Sequence, residues 1–433
     1  MKAIIRISFA LTILLQCTFT GKSQTVLNDK LIKIDGWEVR HLDNPFFREY
    51  FEVIINQQLD HDDPKAGTFK QRFCVGYNGL DVPNIMDLDG YAIDYAARKG
   101  YTNELSKTLK CNMVVIEHRY FGKSTPAKPD WKYLTIKQAA NDCHAIKKVL
   151  ETMMKGKWLV SGVSKGGQTA LAYRMYYPND TEGAIVFGTP VRKDAEDARL
   201  VEYFTKAFET PGGKEVLDYQ KRMLQNKSTM LPLFERFVKE KNLTFGKKDI
   251  EFIYENSVLY YSFCYYQNCE SRGDIPSDTA SKKTMMKALF DVVPARFFSD
   301  ENKTRSDASF YMFYNELGYY EYDIKPFAGL LKGNSYSNIV FCPENVKMKF
   351  NKTYLTELNT YQQKTMTKTI FVYGQKDPWA SMQPDVKPKK ENFKYIVANG
   401  CHKTKLADMD LLQRKEIYKS ISTWLGCKFP EEK

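Results

Sequence analysis

Residues 158–167, WLVSGVSKGG, join an apolar run to a glycine-rich turn around Ser164. The apolar run predicts a strand buried on both faces, and the residues after the turn predict a helix. Glycines flank Ser164 because a sharp strand-to-helix turn strains the backbone of the serine and leaves no room for a neighbouring Cβ. A serine in this context is a candidate nucleophile, and an ordinary glycine-rich turn is the alternative.

Strands and helices alternate on both sides of this turn, which predicts a doubly wound, mostly parallel α/β sheet. The predicted strands lie at 50–57, 68–77, 112–117, 158–163, 183–189, 369–373 and 395–397. The predicted helices of this layer lie at 136–154, 168–177 and 408–425. A polar turn at 60–67 joins the first two strands, so we expect them to form a hairpin at the edge of the sheet.

The alternation stops between Val191 and Ser335. Charged amphipathic stretches follow one another there without β alternation, which predicts an inserted and mostly helical cap. Many tyrosines and phenylalanines lie in this segment, and core packing explains most of them. The predicted domain plan is a leader at 1–23, a first α/β part at 24–190, the cap at 191–335 and a second α/β part at 336–433.

A nucleophilic serine needs a histidine base, and on a sheet of this kind the base comes last in the chain, after an acid. Four of the five histidines precede Ser164, so His402 is the candidate base. Asp377 follows the strand at 369–373 and is the candidate acid that orients His402. Asp385 is a weaker alternative, because it lies in a Pro- and Lys-rich loop farther from the strand.

The oxyanion that forms during serine attack needs backbone N–H donors. Lys165, the residue after the nucleophile, is expected to supply the first donor. Gly79, in the loop after the strand at 68–77, is expected to supply the second, because glycine permits close backbone approach. A simple turn at Gly79 is the alternative. This chemistry requires no cofactor, and the sequence has no CxxC pair or Cys/His cluster with zinc spacing, so we expect no metal.

The first residues predict export of the protein. Residues 1–23 carry Lys2 and Arg6, then an apolar stretch from Ile7 to Leu15, then small and polar residues, as in a secretory signal peptide. No later apolar run reaches the length of a membrane-spanning helix, so we expect a secreted or periplasmic protein without a membrane span. Cys17 lies in a loose match to a lipoprotein cleavage box, which leaves lipid anchoring as an alternative.

Eight of the nine cysteines follow residue 23, and an even number in an exported chain permits disulfides. We expect Cys264 to pair with Cys269, because the two are close in sequence. We expect Cys401 to pair with Cys427, because this bond would tie the loop of His402 to the closing helix. Buried free thiols are the alternative.

The net charge of +12 comes from 64 Lys and Arg against 52 Asp and Glu, spread along the chain. The sequence has no compact basic block and no basic motif interleaved with aromatic residues. We therefore interpret the charge as a solvated surface and expect no nucleic-acid partner.

Further motifs carry a family resemblance. They are 117–124 (EHRYFGKS), 133–135 (YLT), Gln138-Ala139, Asp142, the Ser164 turn, 377–379 (DPW), His402 and the cap segments 263–275 and 315–319. With these residues the chain resembles the secreted bacterial prolyl tri- and tetrapeptidyl aminopeptidases, and more distantly the lysosomal proline-specific carboxypeptidases and dipeptidyl-peptidases. The resemblance implies an α/β-hydrolase fold with a helical cap, and release of short N-terminal peptides that end in proline. Lys165 is a departure, since relatives often carry an aromatic residue there.

This resemblance implies peptide substrates with a free N-terminus and suggests residues that bind them. Trp379 and cap tyrosines would hold the proline ring. Glu316 and Glu321 are candidates to pair with the substrate ammonium, because both lie in the cap segment that is similar to the family, although either could be a solvated helix charge. In 117–119 (EHR) we expect a structural cluster of ion pairs and hydrogen bonds beneath the site.

Two other functions use the same residues differently. An esterase or lipase would use the same serine, histidine and aspartate on another acyl group, but a lipase lid is expected to expose an aliphatic helix, whereas this cap is rich in tyrosine and charge. A catalytically inactive binding protein on the same fold is the third hypothesis, and the presence of all three catalytic residue types in order argues against it.

Overall fold

The computed structural model describes residues 27–270, 275–386 and 391–428. The strands are β1 Glu38–His41, β2 Glu49–Gln58, β3 Thr68–Tyr77, β4 Asn84–Leu88, β5 Asn112–Ile116, β6 Trp158–Val163, β7 Gly183–Phe187, β8 Thr369–Gly374 and β9 Asn392–Val397. The α-helices are α1 Asn28–Leu31, α2 Glu104–Leu109, α3 Ile136–Leu150, α4 Lys165–Tyr176, α5 Arg199–Phe208, α6 Pro211–Gln225, α7 Lys227–Glu240, α8 Ile250–Asn268, α9 Lys282–Val292, α10 Lys303–Met312, α11 Thr353–Lys364 and α12 Leu411–Leu425. The predicted leader at 1–23, with Cys17, lies outside the described residues.

One sheet contains all of these strands, in the order β1-β2-β3-β5-β4-β6-β7-β8-β9. β1, β2 and β3 pair antiparallel, β3 pairs antiparallel with β5, and every pairing from β5 to β9 is parallel. The carboxyl ends of the parallel strands therefore share one edge, which is where such sheets bind ligands. The doubly wound, mostly parallel sheet is confirmed. β2 and β3 form the predicted hairpin, but β1 pairs with the other side of β2, so the hairpin is not at the edge of the sheet.

Central strands are buried on both faces. On β6, Val160 belongs to the apolar layer that contains α3 and α4 residues, whereas Leu159 belongs to the layer that contains α12 residues. Neither side chain is exposed to solvent. Because successive strand residues point to opposite faces and both faces are covered, the strand reads as a continuous apolar run.

Helices α5 to α11 lie between β7 and β8 in the chain. The longest of them, α8, is buried along most of its length. Its Tyr261 packs on Tyr219 of α6 with ring centroids 4.6 Å apart, and its Tyr254 donates a hydrogen bond to the Met223 carbonyl at 2.7 Å. The inserted helical segment is therefore confirmed, and core packing accounts for most of its aromatic residues. Within the described ranges, no helix is long and apolar enough to cross a bilayer.

Strand β4 was absent from the sequence prediction. Pro83 precedes it, and Asp87 interrupts its apolar run. Burial raises the pKa of Asp87 to about 6, and Asn103 Nδ2 donates to its carboxylate at 3.2 Å. A partnered polar residue in the middle of a buried strand removes the pattern by which such strands are recognised.

Candidate active site

Ser164 lies in the tight turn between β6 and α4, at the carboxyl edge of the sheet. Its backbone angles, φ 57° and ψ −123°, are strained for a residue with a side chain. A Cβ at Gly162 would lie 2.5 Å from the Gly166 carbonyl carbon, so the turn cannot form with larger residues there. The strained turn presents the serine at the start of a helix, as the sequence predicted.

His402 and Asp377 are hydrogen-bonded to each other. His402 Nδ1 lies 2.8 Å from Asp377 Oδ2, and Asp377 is completely buried. Since an ionised carboxylate only accepts, Nδ1 carries the proton and Nε2 is left as the basic nitrogen. Asp385, the alternative acid, is exposed and lies on a different depression, next to α11.

Backbone contacts fix the orientation of this pair. Asp377 Oδ1 accepts a hydrogen bond from the Trp379 N–H at 3.1 Å, and the His402 N–H donates to the Gln267 carbonyl of α8 at 3.1 Å. Gly188 follows β7 with φ 51°, and a Cβ there would lie 2.8 Å from His402 Nδ1. Glycine at 188 therefore leaves room for the histidine, a requirement that the sequence analysis missed.

The second oxyanion donor was wrongly assigned to Gly79. β3 runs antiparallel to its neighbour β5, so its carboxyl end lies beside the start of β5, where the Gly79 N–H donates to Asn112 Oδ1 at 3.2 Å. Ser164 follows the end of β6, at the opposite edge of the sheet. Gly79 is thus a turn residue remote from the serine.

Gly90, after β4, lies against the turn that carries Ser164, where the sequence predicted Gly79 to lie. A Cβ at Gly90 would lie 2.6 Å from the Lys165 Cβ and 2.7 Å from the Gly166 nitrogen, so its backbone touches the turn that holds Ser164. Lys165 begins α4, where the first N–H groups have no partner within the helix. The candidate oxyanion hole is therefore formed by the Lys165 N–H and the 89–91 loop.

The side chain of Lys165 holds this loop against the turn. Its Nζ donates to the Gly90 carbonyl at 2.8 Å and lies 4.7 Å from the centroid of the Phe121 ring. Only 2% of the residue is exposed. Burial, with smaller contributions from Arg305 and Arg192, holds the pKa of the ammonium well below its usual range.

Ser164 and His402 line one cleft of about 520 Å³, together with Trp379 and several aromatic residues of the cap. Trp379 is buried and packs edge-on against Phe263, with ring centroids 5.0 Å apart. The structure thus brings the predicted proline-binding tryptophan to the serine.

The two predicted partners of the substrate ammonium lie elsewhere. Glu316 is not among the residues that line the cleft; its Oε1 accepts the Ile136 N–H at the start of α3 at 2.6 Å, and burial raises its pKa to about 7. Glu321 lies on a separate small depression beside α5. Asp89 is the one carboxylate among the described residues that line the cleft, and the sequence analysis missed it because β4 was missed.

One disulfide connects the cap to the histidine loop, and both predicted pairings were wrong. Cys269, after α8, bonds to Cys401, and their Cα atoms lie 5.5 Å apart. Cys264 is a buried free thiol, and Cys427 is free and half-buried. Sequence proximity failed as a guide because Cys264 lies inside α8, whereas Cys269 ends it.

The 117–119 cluster is structural, as expected. Glu117 forms an ion pair with Arg72, and both are buried. Arg119 donates to both oxygens of Asp142, at 2.7 and 2.8 Å. Paired in this way, the charges hold the strand end and α3 together rather than face the cleft.

The sheet order and the serine turn at the end of β6 define an α/β-hydrolase. A family model described as PS-10 peptidase S37 matches residues 22–428. The chain therefore belongs to the PS-10 peptidase S37 family, and it is a serine peptidase.

Curated relatives agree with this family. The chain is 26% identical over 419 residues to a prolyl tri/tetrapeptidyl aminopeptidase of Streptomyces mobaraensis, covering 93% of this chain and 86% of the relative. It is 29% identical over 161 residues to a lysosomal Pro-X carboxypeptidase of Mus musculus, covering 33% of each. Among solved structures, a carboxyl esterase from Bacillus coagulans aligns with 91% of this chain and 99% of its own at 10% identity and a TM-score of 0.39.

Proposed function

We propose that the protein is a secreted serine exopeptidase that releases tri- or tetrapeptides from the N-terminus of a peptide, cutting after proline. One observation carries the proposal: Ser164 and His402 line the same cleft, and Asp377 is hydrogen-bonded to the far side of the imidazole. The similarity to a prolyl tri/tetrapeptidyl aminopeptidase over 93% of the chain supports the substrate class.

The reaction proceeds in two acyl transfers, first to Ser164 and then to water. His402 Nε2 takes the proton of Ser164 Oγ as the oxygen attacks the carbonyl carbon of the proline residue, and Asp377 stabilises the imidazolium. The Lys165 N–H donates a hydrogen bond to the developing oxyanion, and the 89–91 loop supplies the second backbone donor. His402 then gives the proton to the departing amine, which leaves an ester of Ser164. Water, deprotonated by the same histidine, attacks that ester and releases the N-terminal peptide.

Specificity for proline would come from the aromatic wall of the cleft. Trp379 lies two residues after Asp377, and its ring packs with Phe263 and lies 6.1 Å from the ring of Tyr319. A proline ring is compact and apolar, so a rigid aromatic surface holds it at small entropic cost. Asp89 replaces Glu316 and Glu321 as our candidate for the group that pairs with the substrate ammonium.

We propose the export of the protein and its domain organisation from the amino-acid sequence. The predicted signal peptide at 1–23 supports secretion or a periplasmic location, and a disulfide in the described residues is compatible with an oxidising compartment. Lipid attachment through Cys17 is the alternative. The parts at 24–190, 191–335 and 336–433 are our proposed division of the remaining chain.

A substrate panel tests the proposal. We expect kcat/KM for Ala-Ala-Pro-anilide to exceed that for its N-acetylated form by at least about tenfold, because acetylation removes the charge that Asp89 would bind. Ala-Pro-anilide and a short-chain ester complete the panel. The Asp89→Asn variant should reduce the ratio between free and acetylated substrate. Equal rates for the two would rule out an aminopeptidase, and preference for the ester would establish the esterase instead.

A further inference from the structure

The cleft beside Ser164 is strongly cationic. Its charged lining residues, apart from His402, are Asp89, Lys165, Arg192, Arg296, Arg305 and Lys403. Five of these six are basic. Within the described parts of the chain, none of the five forms a salt bridge. An excess of unpaired positive charge around a nucleophile favours a ligand with negative charge.

Arg192 is the most unusual of these cations. Only 4% of it is exposed, and Nη1 donates to Gln168 Oε1 at 3.1 Å. Its Nε is buried and has no partner in the part of the chain that the structure describes. Its guanidinium lies 4.8 Å from the centroid of the Trp379 ring, and burial lowers its pKa to about 10.

Arg119 and Arg174 are also buried but have more partners than Arg192. Among the described residues Arg174 has no carboxylate partner, and it donates instead to the Pro178, Thr181 and Thr367 carbonyls. Arg119 uses both oxygens of Asp142 and also donates to the Leu59, Tyr133 and Gln58 carbonyls. The negative charge of Asp197 acts on Arg192. However, the Asp197 carboxylate is paired with Arg199 at 2.6 Å and forms no salt bridge with Arg192. A buried guanidinium with neither a carboxylate nor several carbonyl acceptors is costly unless a ligand supplies an acceptor.

Three of the cations converge around Tyr91. The Arg305 guanidinium lies 4.4 Å and the Lys165 ammonium 5.4 Å from the centroid of the Tyr91 ring. The charges of both Arg192 and Arg305 act on Tyr91 and on Lys165. Asp89 partly offsets this repulsion, but its two oxygens already accept hydrogen bonds from the Tyr91 N–H and the Tyr95 hydroxyl.

We propose that Arg192 and Arg305 form a subsite that binds a carboxylate of the peptide substrate. The carboxylate comes from an acidic side chain or from the C-terminus. This inference rests on the proposed function, since it takes the ligand to be a peptide. Guanidinium groups suit this role because they bind carboxylates through paired hydrogen bonds, and the aromatic rings around Arg192 fix its plane.

Matched peptides identify the source of the carboxylate. The parent peptide has the sequence Ala-Ala-Pro-Ala-Ala with an amidated end. In one set, each alanine in turn is replaced by Asp or by Asn. A separate pair has the parent sequence and ends either in a free carboxylic acid or in an amide. In at least one of these pairs we expect kcat/KM to be at least about tenfold higher for the acid, as a charge-assisted hydrogen bond predicts. Preference in the first set identifies a side chain, and preference in the second identifies the C-terminus.

Arginine variants connect the preference to this subsite. In Arg305→Gln and Arg192→Met, the acid-to-amide ratio should fall towards one. Arg236→Gln, at an exposed arginine of α7 outside the cleft, should keep the wild-type ratio. A ratio near one for every pair in the wild type would overturn the subsite. An equal loss on acidic and neutral peptides would also overturn it, and would assign the arginines to the oxyanion instead.

A binding measurement separates this inference from the proposed function. Calorimetry of the Ser164→Ala variant with the same peptides needs no turnover. Tighter binding of the acidic member, lost in Ser164→Ala/Arg305→Gln, supports the subsite even if no peptide is cleaved after proline. Equal dissociation constants for the acidic and neutral members would overturn the subsite even if the protein proves to be an aminopeptidase.

Discussion

At the scale of single residues, we propose that the chemistry depends on three side chains that act as one unit. Ser164→Ala and His402→Ala should each lower kcat by about 10⁴-fold or more. Asp377→Asn should be comparably severe, because an amide at 377 favours the unproductive tautomer of His402. Asp385→Asn is the matched control and should retain wild-type activity, since Asp385 is exposed and does not contact His402. Near-normal kcat in any of the three variants, measured on Ala-Ala-Pro-anilide, would contradict the assignment.

Lys165 contributes to the site through both its backbone and its side chain. Lys165→Met keeps the N–H donor but removes the ammonium that holds the Gly90 carbonyl, so kcat should fall by about tenfold with little change in KM. The melting temperature should not fall, because the variant removes a buried charge that has no carboxylate partner. An unchanged kcat would show that the 89–91 loop keeps its position without Lys165.

At the scale of structural elements, Glu316 links the cap to the start of α3. Burial raises its pKa from 4.5 to about 7, so the folded protein binds this proton more tightly than the unfolded chain does. The resulting stabilisation is complete below pH 4.5 and is lost as the pH rises through about 7. Glu316→Gln keeps an acceptor for the Ile136 N–H and cannot ionise.

The free energy of unfolding should therefore depend on pH differently in the two proteins. Between pH 4.5 and 7, the wild type should lose up to about 3 kcal/mol relative to Glu316→Gln. Denaturant unfolding at a series of pH values measures this difference, and the comparison cancels the titration of other groups such as Asp87. Parallel stability curves would mean that folding does not raise the pKa of Glu316.

The disulfide between Cys269 and Cys401 joins the end of α8 to the loop that carries His402. It spans 132 residues of sequence, and a closed loop of that length reduces the entropy of the unfolded chain by an amount worth roughly 4 to 5 kcal/mol. Cys269→Ser should lower both the melting temperature and kcat, whereas Cys427→Ser, at a free cysteine, should lower neither. Peptide mapping without reductant should recover Cys269 and Cys401 in one linked fragment; two separate fragments would contradict this bond.

The apolar pattern of the strands determined which site residues could be predicted from the sequence. The candidate nucleophile, base and acid could be placed because each follows a strand with a strong apolar pattern. Gly90 could not, because Asp87 breaks the pattern of β4, and the prediction moved to Gly79 after the antiparallel β3. The cysteine pairing failed for a different reason: which cysteines meet depends on how the cap folds over the sheet, and sequence spacing does not determine that.

At the scale of the whole molecule, the sheet supplies the proposed catalytic groups and the helical insertion supplies most of the cleft wall. Residues from α8 and α10 face Ser164 together with His402. The cation-rich lining arises from this assembly, since Lys165 and Arg192 follow β6 and β7 while Arg305 comes from α10. Scattered along the sequence, these charges gave no motif, and only folding brings them to one cleft.

We propose that this serine peptidase acts through Ser164, activated by His402. Treatment with a fluorophosphonate, followed by peptide mapping by mass spectrometry, tests it most directly. We expect one covalent adduct, on Ser164, with loss of activity in proportion to labelling, and no adduct in His402→Ala under the same conditions. An adduct on another residue, or full inactivation with Ser164 unmodified, would contradict it.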